Sequence, residues 1–253
     1  MAAASGPCRD CELNSWALMK FGDRIESLRA GARPRGALRL PAEDLAASVG
    51  GRSSSALRAE LNEFQPGRAL ASALDCGAEV ACRHQGGFAW PRLLAGDPEE
   101  PWVLHLIGDV RLLSRCDAGF GIGIVGARRA DAYGRSTARS LGSAAAGGGA
   151  VVVSGLAFGV DAEAHEGALA ARPESTIAVV GGGVDTVYPR SNAGLHRRIA
   201  QSGAVLSEMP FGCGVWRWSF PARNRLIAAL SQVVAVVQGA RGSGSLHTAE
   251  AAL

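Results

Sequence analysis

From Ile122 onward, the sequence alternates short apolar runs that end in glycine or serine with segments of helical character. The apolar runs are Ile122–Gly126, Val151–Ser154, Thr176–Gly181, Ala204–Ser207 and Val233–Val237. Continuous apolar runs of this length, separated by helices, indicate parallel strands that are buried on both faces. The pattern predicts an α/β fold with a doubly wound, mostly parallel sheet.

Helices are expected between these strands and also before them. The intervening segments are Tyr133 to Ala146, a stretch through His165 and Leu169, Leu195 to Ala200, and a helix starting near Ser245. Before this region, apolar residues recur at helical spacing from Leu13 to Ala30 and again at Leu57, Leu61, Phe64, Leu70 and Leu74. With 253 residues the chain has room for two domains. We predict a small helical N-terminal domain over 1–84 and a Rossmann-like domain over 85–253.

Composition is that of a folded protein, with 47% hydrophobic and 19% charged residues. The N-terminus has no basic and apolar signal pattern, and the longest apolar runs are far shorter than the roughly 20 residues that span a bilayer. We therefore expect a soluble, cytoplasmic protein.

The net charge of +3 does not by itself indicate that the protein binds nucleic acid. However, no acidic residue lies between Glu208 and Glu250, a window that holds Arg217, Arg223, Arg225 and Arg241.

The ligand site of such a sheet is expected beyond the carboxyl ends of the strands, near a switch in strand order. This rule selects five loops rich in small residues: Gly126–Arg129, Ser154–Ala157, Gly181–Asp185, Ser207–Glu208 and Gly239–Ser245. Several of them precede predicted helices, and the free backbone amides at a helix N-terminus can donate hydrogen bonds to a phosphate. The last loop contains Ser243-Gly244-Ser245, which can bring amides to a phosphate or simply form a turn with a serine N-cap. The sequence predicts a phosphorylated ligand.

Gly121-Ile-Gly-Ile-Val-Gly126 has the letters of the dinucleotide fingerprint G-x-G-x-x-G. In that fingerprint the first glycine follows the strand, whereas here the first two glycines precede it or lie inside it. The next strand also ends in Ser154-Gly155 rather than in an acidic residue. A nicotinamide-dependent oxidoreductase is therefore the weakest of the alternatives.

The segment Trp216-Arg-Trp-Ser-Phe-Pro-Ala-Arg-Asn-Arg225 combines three aromatic residues, three arginines and no acid. Single-strand nucleic-acid binders combine aromatic stacking faces with phosphate donors in this way. Burial of Trp216 and Trp218 in the core is an equally good interpretation.

Six groups of residues, taken in order along the chain, resemble the motifs of the DNA-processing protein A (Smf) family. The motifs are Gly126-Ala-Arg-Arg129 with Tyr133-Gly134, Val153–Ala157 with Gly159-Val-Asp161 and His165, Asp185 with Tyr188-Pro189 and Asn192, Ser207-Glu208, Phe220–Arg225, and Ser243–Leu246 with Thr248. They cover about residues 84–253.

The resemblance implies an extended Rossmann domain that binds single-stranded DNA without strict sequence preference. It also implies dimerisation and the loading of a RecA-type recombinase in natural transformation. By the family's motifs, Arg128 beside Arg129 holds a phosphate, with the amides at Gly126 and Ser154-Gly155 next to it. Arg217 adds charge, Phe220 stacks on a base, and the pocket wall is completed by Arg223, Asn224 and Arg225. No catalytic residue and no obligatory cofactor are implied.

The competing hypothesis is an enzyme, such as a nucleotide-processing phosphoribohydrolase, whose Gly239–Ser245 loop would hold a monophosphate. Such an enzyme needs an acid near the glycosidic bond, and after this loop none occurs before Glu250. Asp161 and His165 lack a nucleophile with a plausible partner, so a structural role is expected for both.

Six cysteines in a chain expected in the cytosol point away from disulfides. Cys8-Arg-Asp-Cys11 has the spacing of metal ligands, and Cys76 with Cys82 can complete a four-thiolate zinc site, with His84 as a substitute ligand. Free buried thiols are the alternative.

The chain stops at Leu253, inside an expected helix, whereas members of the resembling family continue with further strand, helix and often a winged-helix domain. We therefore expect a truncated C-terminus. Dimerisation of this chain is left open.

Overall fold

A seven-stranded sheet forms the centre of the computed structural model, which describes residues 6–28, 35–84, 88, 90–92, 94–95, 100–239, 244 and 248–249. The strands are β1 Glu79–Cys82, β2 Val103–Gly108, β3 Gly121–Gly126, β4 Val151–Ser154, β5 Thr176–Val179, β6 Ala204–Ser207 and β7 Val233–Val237. Their order in the sheet is β1-β2-β6-β5-β4-β3-β7. Neighbours among β3 to β7 pair in parallel, while β2 is antiparallel to both β1 and β6. The predicted α/β class with a mostly parallel sheet is confirmed.

The helices predicted at Tyr133–Ala146, through His165 and Leu169, and at Leu195–Ala200 are present, whereas those at Arg111–Arg115 and Ser219–Ala229 were not predicted. The described helices are α1 Arg9–Lys20, α2 Gly22–Glu26, α3 Arg35–Leu38, α4 Ala42–Gly50, α5 Ser54–Glu60, α6 Arg68–Asp75, α7 Arg111–Arg115, α8 Ala132–Gly147, α9 Val160–Ala171, α10 Ala193–Ser202 and α11 Ser219–Ala229. Asp131 caps α8 by accepting the amide of Gly134 at 2.8 Å, an ordinary Asp N-cap. Ser245, near which a further helix was predicted to start, lies outside the described residues.

Strands β1 and β2 were not predicted from the sequence. Residues up to 84 were expected to be helical, which is wrong for Glu79–Cys82, because these residues pair with Val103–Leu106 as an edge strand. A four-residue edge strand needs only one neighbour, and its sequence is too short for a period-two pattern to stand out. The domain boundary at residue 84 stays a prediction, and β1 lies on its N-terminal side.

Alternate side chains of the central strands enter separate cores on the two faces of the sheet, as the pleat requires. Val152 packs with the α8 and α9 side chains, and Ala178 packs with those of α10. Val153 and Ile177 lie on the other face, against α7 and α11. The core is therefore a sheet covered by helices on both sides.

The position of β3 determines where a ligand can bind. From β3 the chain proceeds through β4, β5 and β6 in one direction along the sheet, and β7 then returns to the opposite side of β3. Such a reversal leaves a crevice beyond the carboxyl ends of the two strands that flank it. This crevice opens at Gly126, the last residue of β3.

Candidate nucleic-acid interface

A cleft of about 600 Å³ lies beyond the carboxyl end of β3. Its size is within the range of small-molecule and cofactor sites. Five of the residues that line it are basic or aromatic, and the lining includes Arg128, Asp161, Tyr188, Arg217, Phe220, Arg223 and Asn224. The sequence had placed most of these residues at the site, and the structure brings them together from four separate segments of the chain.

Arg128 and two aromatic rings form the open part of the cleft. The Arg128 guanidinium carbon lies 5.0 Å from the centre of the Phe220 ring, a cation–π contact. The rings of Phe220 and Tyr188 lie 5.2 Å apart at an angle of 44°. Arg128 is exposed, Phe220 is half-buried, and Tyr188 is 43% exposed. A fixed positive charge and exposed aromatic surface are thus adjacent.

Arg223 forms the floor of the cleft from α11. Its Nη1 donates to the carbonyl oxygen of Gly155 at 2.7 Å and also to that of Val179, and its Nε donates to Asn224 Oδ1 at 3.2 Å. Burial lowers the pKa of Arg223 to about 10, Asp161 opposes this shift, and Arg128 adds to it. A group with this pKa is still cationic at neutral pH, so the buried guanidinium contributes positive charge.

Asp161, at the start of α9, lies buried against Arg223. Burial raises the pKa of this carboxyl, while Arg223 and the backbone amides of Ala157, Gly126 and Gly155 act in the opposite direction. The amide of Ala157 lies 3.4 Å from Asp161 Oδ2. The amides of Gly126 and Gly155, predicted to lie beside a phosphate, therefore interact with an internal carboxylate.

Ser154 and Gly155 lie at the carboxyl end of β4 and contact β3 and Arg223, respectively. Ser154 is fully buried, and its Oγ donates to the carbonyl of Ile124 at 2.6 Å, so its side chain serves the sheet rather than the cleft. At Gly155, an added Cβ would lie 2.4 Å from Nη2 of Arg223. The absence of a side chain at residue 155 leaves the space that the guanidinium occupies.

Arg225 was predicted to complete the pocket wall, and this prediction is wrong. Its Nη1 and Nη2 donate to the two carboxylate oxygens of Glu208 at 2.6 Å each, and both side chains are buried. On a helix, residues 223 and 225 face different directions, because two residues correspond to about 200° of rotation. Arg225 therefore points into the protein while Arg223 faces the cleft.

Trp216 and Trp218 are held by the N-terminal helices. The Nε1 of Trp218 donates to the carbonyl of Gly22 at 3.1 Å, and that of Trp216 donates to Asp23 Oδ1 at 2.8 Å. The two indole rings stack with centres 5.8 Å apart. Of the two interpretations left open by the sequence, packing is the one that the structure supports.

The remaining predicted residues lie around the cleft. Arg217 is exposed, and Asn224 donates from Nδ2 to the carbonyl of Gly244 at 3.1 Å, which places Gly244 at the rim. Arg129 is exposed and lines an adjoining cleft together with Arg128. Ser243 and Ser245 lie outside the described residues.

Several residues at or near the cleft were not among the predicted site residues, Asp161 and Tyr188 among them. Tyr188 is at the site, and the only sequence signal for it was its place in the Asp185–Asn192 motif. His165 is fully buried, with its Nδ1 2.7 Å from Thr176 Oγ1. Burial, with a smaller contribution from Arg223, lowers its pKa to about 3. This neutral core histidine agrees with the structural role expected for it.

The predicted metal ligands are brought together only in part. Cys8, Cys11 and His84 place their ligand atoms within 4.8 Å of one another. Cys76 is exposed and does not belong to this group. His84, the substitute ligand, belongs to the group, and Cys82, like Cys76, does not.

Residues 84–253 match the family described as DNA recombination-mediator protein A. The chain belongs to this family. Curated relatives include Protein Smf of Synechocystis, 44% identical over 163 residues, which are 64% of this chain and 40% of that protein. DNA processing protein DprA of Bacillus subtilis is 39% identical over 202 residues, which are 79% of this chain and 66% of that protein. The matches thus span 40% and 66% of the lengths of these two relatives.

Two solved structures of DNA processing protein A resemble this chain in fold. The X-ray structure of DNA processing protein A from Streptococcus pneumoniae has a TM-score of 0.68 and 27% identity, covering 95% of this chain and 78% of that one. A structure of DNA processing protein A from Helicobacter pylori, described for its single-stranded DNA binding mode, has a TM-score of 0.59 and 36% identity, covering 65% and 73%. The predicted family and Rossmann-like fold are confirmed.

In the described part of the chain, no helix is both long enough and apolar enough to cross a bilayer.

Proposed function

We propose that this chain binds single-stranded DNA in the cleft beyond β3, without catalysing a reaction on it. The observation that carries the proposal is the adjacency of Arg128, Phe220 and Tyr188 at the mouth of a cleft floored by Arg223. Arginine binds backbone phosphates, and exposed aromatic faces stack on unpaired bases of any sequence. The Helicobacter pylori relative, described as a single-stranded DNA binder, supports the same assignment.

The exposure and contacts of the lining residues support separate tasks for them. Arg128 and Arg217 are exposed and take phosphates, while Phe220, beside Tyr188, offers a stacking face. Arg223 is already bonded to two carbonyl oxygens and acts as fixed positive charge beneath the ligand. Asp161 is buried and interacts with backbone amides and with Arg223, so its carboxyl has partners inside the protein.

The proposed biological role is that of a DNA recombination mediator in natural transformation. In this role the protein acts in the cytoplasm as a homodimer, protects incoming single strands and loads a RecA-type recombinase onto them. Family membership supports this assignment. Its direct test is whether the chain accelerates recombinase filament formation on a labelled single strand, with light scattering measuring its own oligomeric state.

The binding proposal is tested by a salt series with fluorescent single-stranded and double-stranded oligonucleotides. Affinity for the single strand should fall with salt at a log–log slope of about −0.7 per phosphate contacted. Arg128→Ala should weaken binding about tenfold or more and make the slope shallower by about 0.7. Arg58→Ala, which removes an exposed arginine on α5, is the matched control and should change neither quantity.

Several results would contradict the proposal. Salt-insensitive binding, equal weakening by Arg128→Ala and Arg58→Ala, or a preference for duplex DNA would each count against a single-strand site at this cleft. Release of free base from a nucleoside monophosphate would instead indicate a phosphoribohydrolase, and that assay is run on the same preparation.

A further inference from the structure

We propose that Cys8, Cys11, Cys82 and His84 bind one structural zinc ion that fastens the start of α1 to the end of the edge strand β1. The four residues come from two segments about 75 positions apart, since Cys11 and His84 are separated by 73 positions and Cys8 and His84 by 76. The inference does not depend on DNA binding, because the cluster involves none of the residues of the cleft.

The distances match tetrahedral zinc. His84 Nδ1 lies 3.5 Å from Cys8 Sγ and 3.3 Å from Cys11 Sγ. Zinc bonds of roughly 2.3 Å to sulfur and 2.0–2.1 Å to nitrogen place such ligand atoms about 3.5 Å apart at a tetrahedral angle. These ligand atoms are therefore already spaced for one ion between them.

We take Cys82 as the fourth ligand: its Sγ lies outside the group of ligand atoms that are within 4.8 Å of one another, so its thiol must turn toward the ion. Its Sγ accepts the backbone amide of Cys8 at 3.4 Å, which places it beside one of the other ligands. Cys82 and Cys11 are almost fully buried, whereas Cys76 is exposed. Three cysteines and one histidine form a closed set of four ligands, as in structural rather than catalytic zinc sites.

The location indicates what the zinc ion stabilises. Cys8 and Cys11 belong to the first turn of α1, and Cys82 ends β1, where the strand has only β2 as a neighbour. Farther along α1, Ser15 donates to the carbonyl of Glu208 at 3.3 Å. Glu208 in turn pairs with Arg225 of α11. The ion thus secures the helix whose Ser15 contacts the residue that pairs with Arg225.

Zinc content of the full chain, purified without chelators under reducing conditions, tests the site directly. We expect one zinc ion per chain by elemental mass spectrometry. Cys11→Ser and His84→Ala should lose most of it, whereas Cys76→Ser, a matched control outside the cluster, should retain it. Cobalt reconstitution of the wild-type chain should give the visible absorption bands of tetrahedral thiolate coordination. This measurement needs no variant, so it holds even if the substituted chains do not fold.

Stability gives a second measurement. A strong chelator should lower the Tm of the wild-type chain by about 5 °C or more, because an ion that binds only the folded state stabilises it by mass action. The same chelator should leave the Tm of His84→Ala unchanged. Less than about one zinc ion per five chains after reconstitution, equal zinc loss in Cys76→Ser, or a Cys8–Cys11 disulfide in the wild-type chain would overturn the proposal.

Discussion

Arg225 donates from Nη1 and Nη2 to the two carboxylate oxygens of Glu208, at 2.6 Å each, and both side chains are buried. Two positions earlier, Arg223 forms the floor of the cleft. The acid-free segment that resembled one basic surface therefore contains arginines with two different tasks. One closes a buried ion pair with Glu208, and the other lies beneath the proposed ligand.

Truncating Arg225 should destabilise the fold. Arg225→Ala leaves the Glu208 carboxylate buried without its partner, which typically costs about 3–5 kcal/mol. Urea unfolding, followed by circular dichroism, measures the change in the free energy of unfolding. The double variant Arg225→Met with Glu208→Leu should recover much of that loss, since no unpaired charge remains. An Arg225→Ala protein as stable as the wild type would show that the pair is not buried in solution.

Phe220→Ala should weaken single-stranded DNA binding by removing the stacking face. The expected loss is about 1–3 kcal/mol for one stacked base. Because no charge is removed, the salt slope should stay as in the wild type, unlike that of Arg128→Ala. Fluorescence anisotropy at several salt concentrations separates the two variants, with Phe220→Tyr as the control that keeps an aromatic ring. A shallower slope in Phe220→Ala would show that the ring acts by positioning Arg128.

Gly155→Ala should displace the Arg223 guanidinium. The new Cβ would lie 2.4 Å from Nη2, and the guanidinium is fixed by its bonds to the carbonyls of Gly155 and Val179. Overpacking of this kind costs about 1–3 kcal/mol. We expect lower stability together with weaker DNA binding. Gly147→Ala, at a position with open space around its Cβ, should affect neither, and equal behaviour of the two variants would contradict the steric role of Gly155.

Acidification should destabilise the protein through its buried histidines. Burial lowers the pKa of His165 to about 3 and that of His105 to about 4. The unfolded chain takes up protons near pH 6.5, so it binds more protons than the folded state between these values, and stability falls as the pH falls. Each histidine should remove about 2 kcal/mol between pH 7 and pH 5.

The variant His165→Leu isolates one of these contributions. Its free energy of unfolding should fall by about 2 kcal/mol less than that of the wild type over the same pH interval. The slope is the informative quantity, because the variant also loses the bond to Thr176 and starts from lower stability. Parallel pH profiles for the two proteins would show that His165 is not buried as a neutral group.

The central strands could be predicted because parallel, doubly covered strands need continuous apolar sequence, which is a local property. Val151–Ser154, Ala204–Ser207 and Val233–Val237 were predicted with the bounds that they have in the structure. Strands β1 and β2 could not be predicted in this way. β1 is a four-residue edge strand with little pattern of its own, and β2 joins the sheet antiparallel to its neighbours, outside the strand–helix alternation.

The sequence by itself indicated the α/β class, the loops at the strand ends, the family, and Arg128, Phe220 and Arg223 as candidate residues, which the structure places in the lining of one cleft. Only the tertiary structure decided which polar groups remain available to a ligand. Arg225 is paired with Glu208, Trp216 and Trp218 are bonded to α2, and the amides of Gly126 and Gly155 interact with Asp161. The physical reason is that a buried charge or polar group must find a partner, and the partner comes from a distant segment that no local pattern identifies.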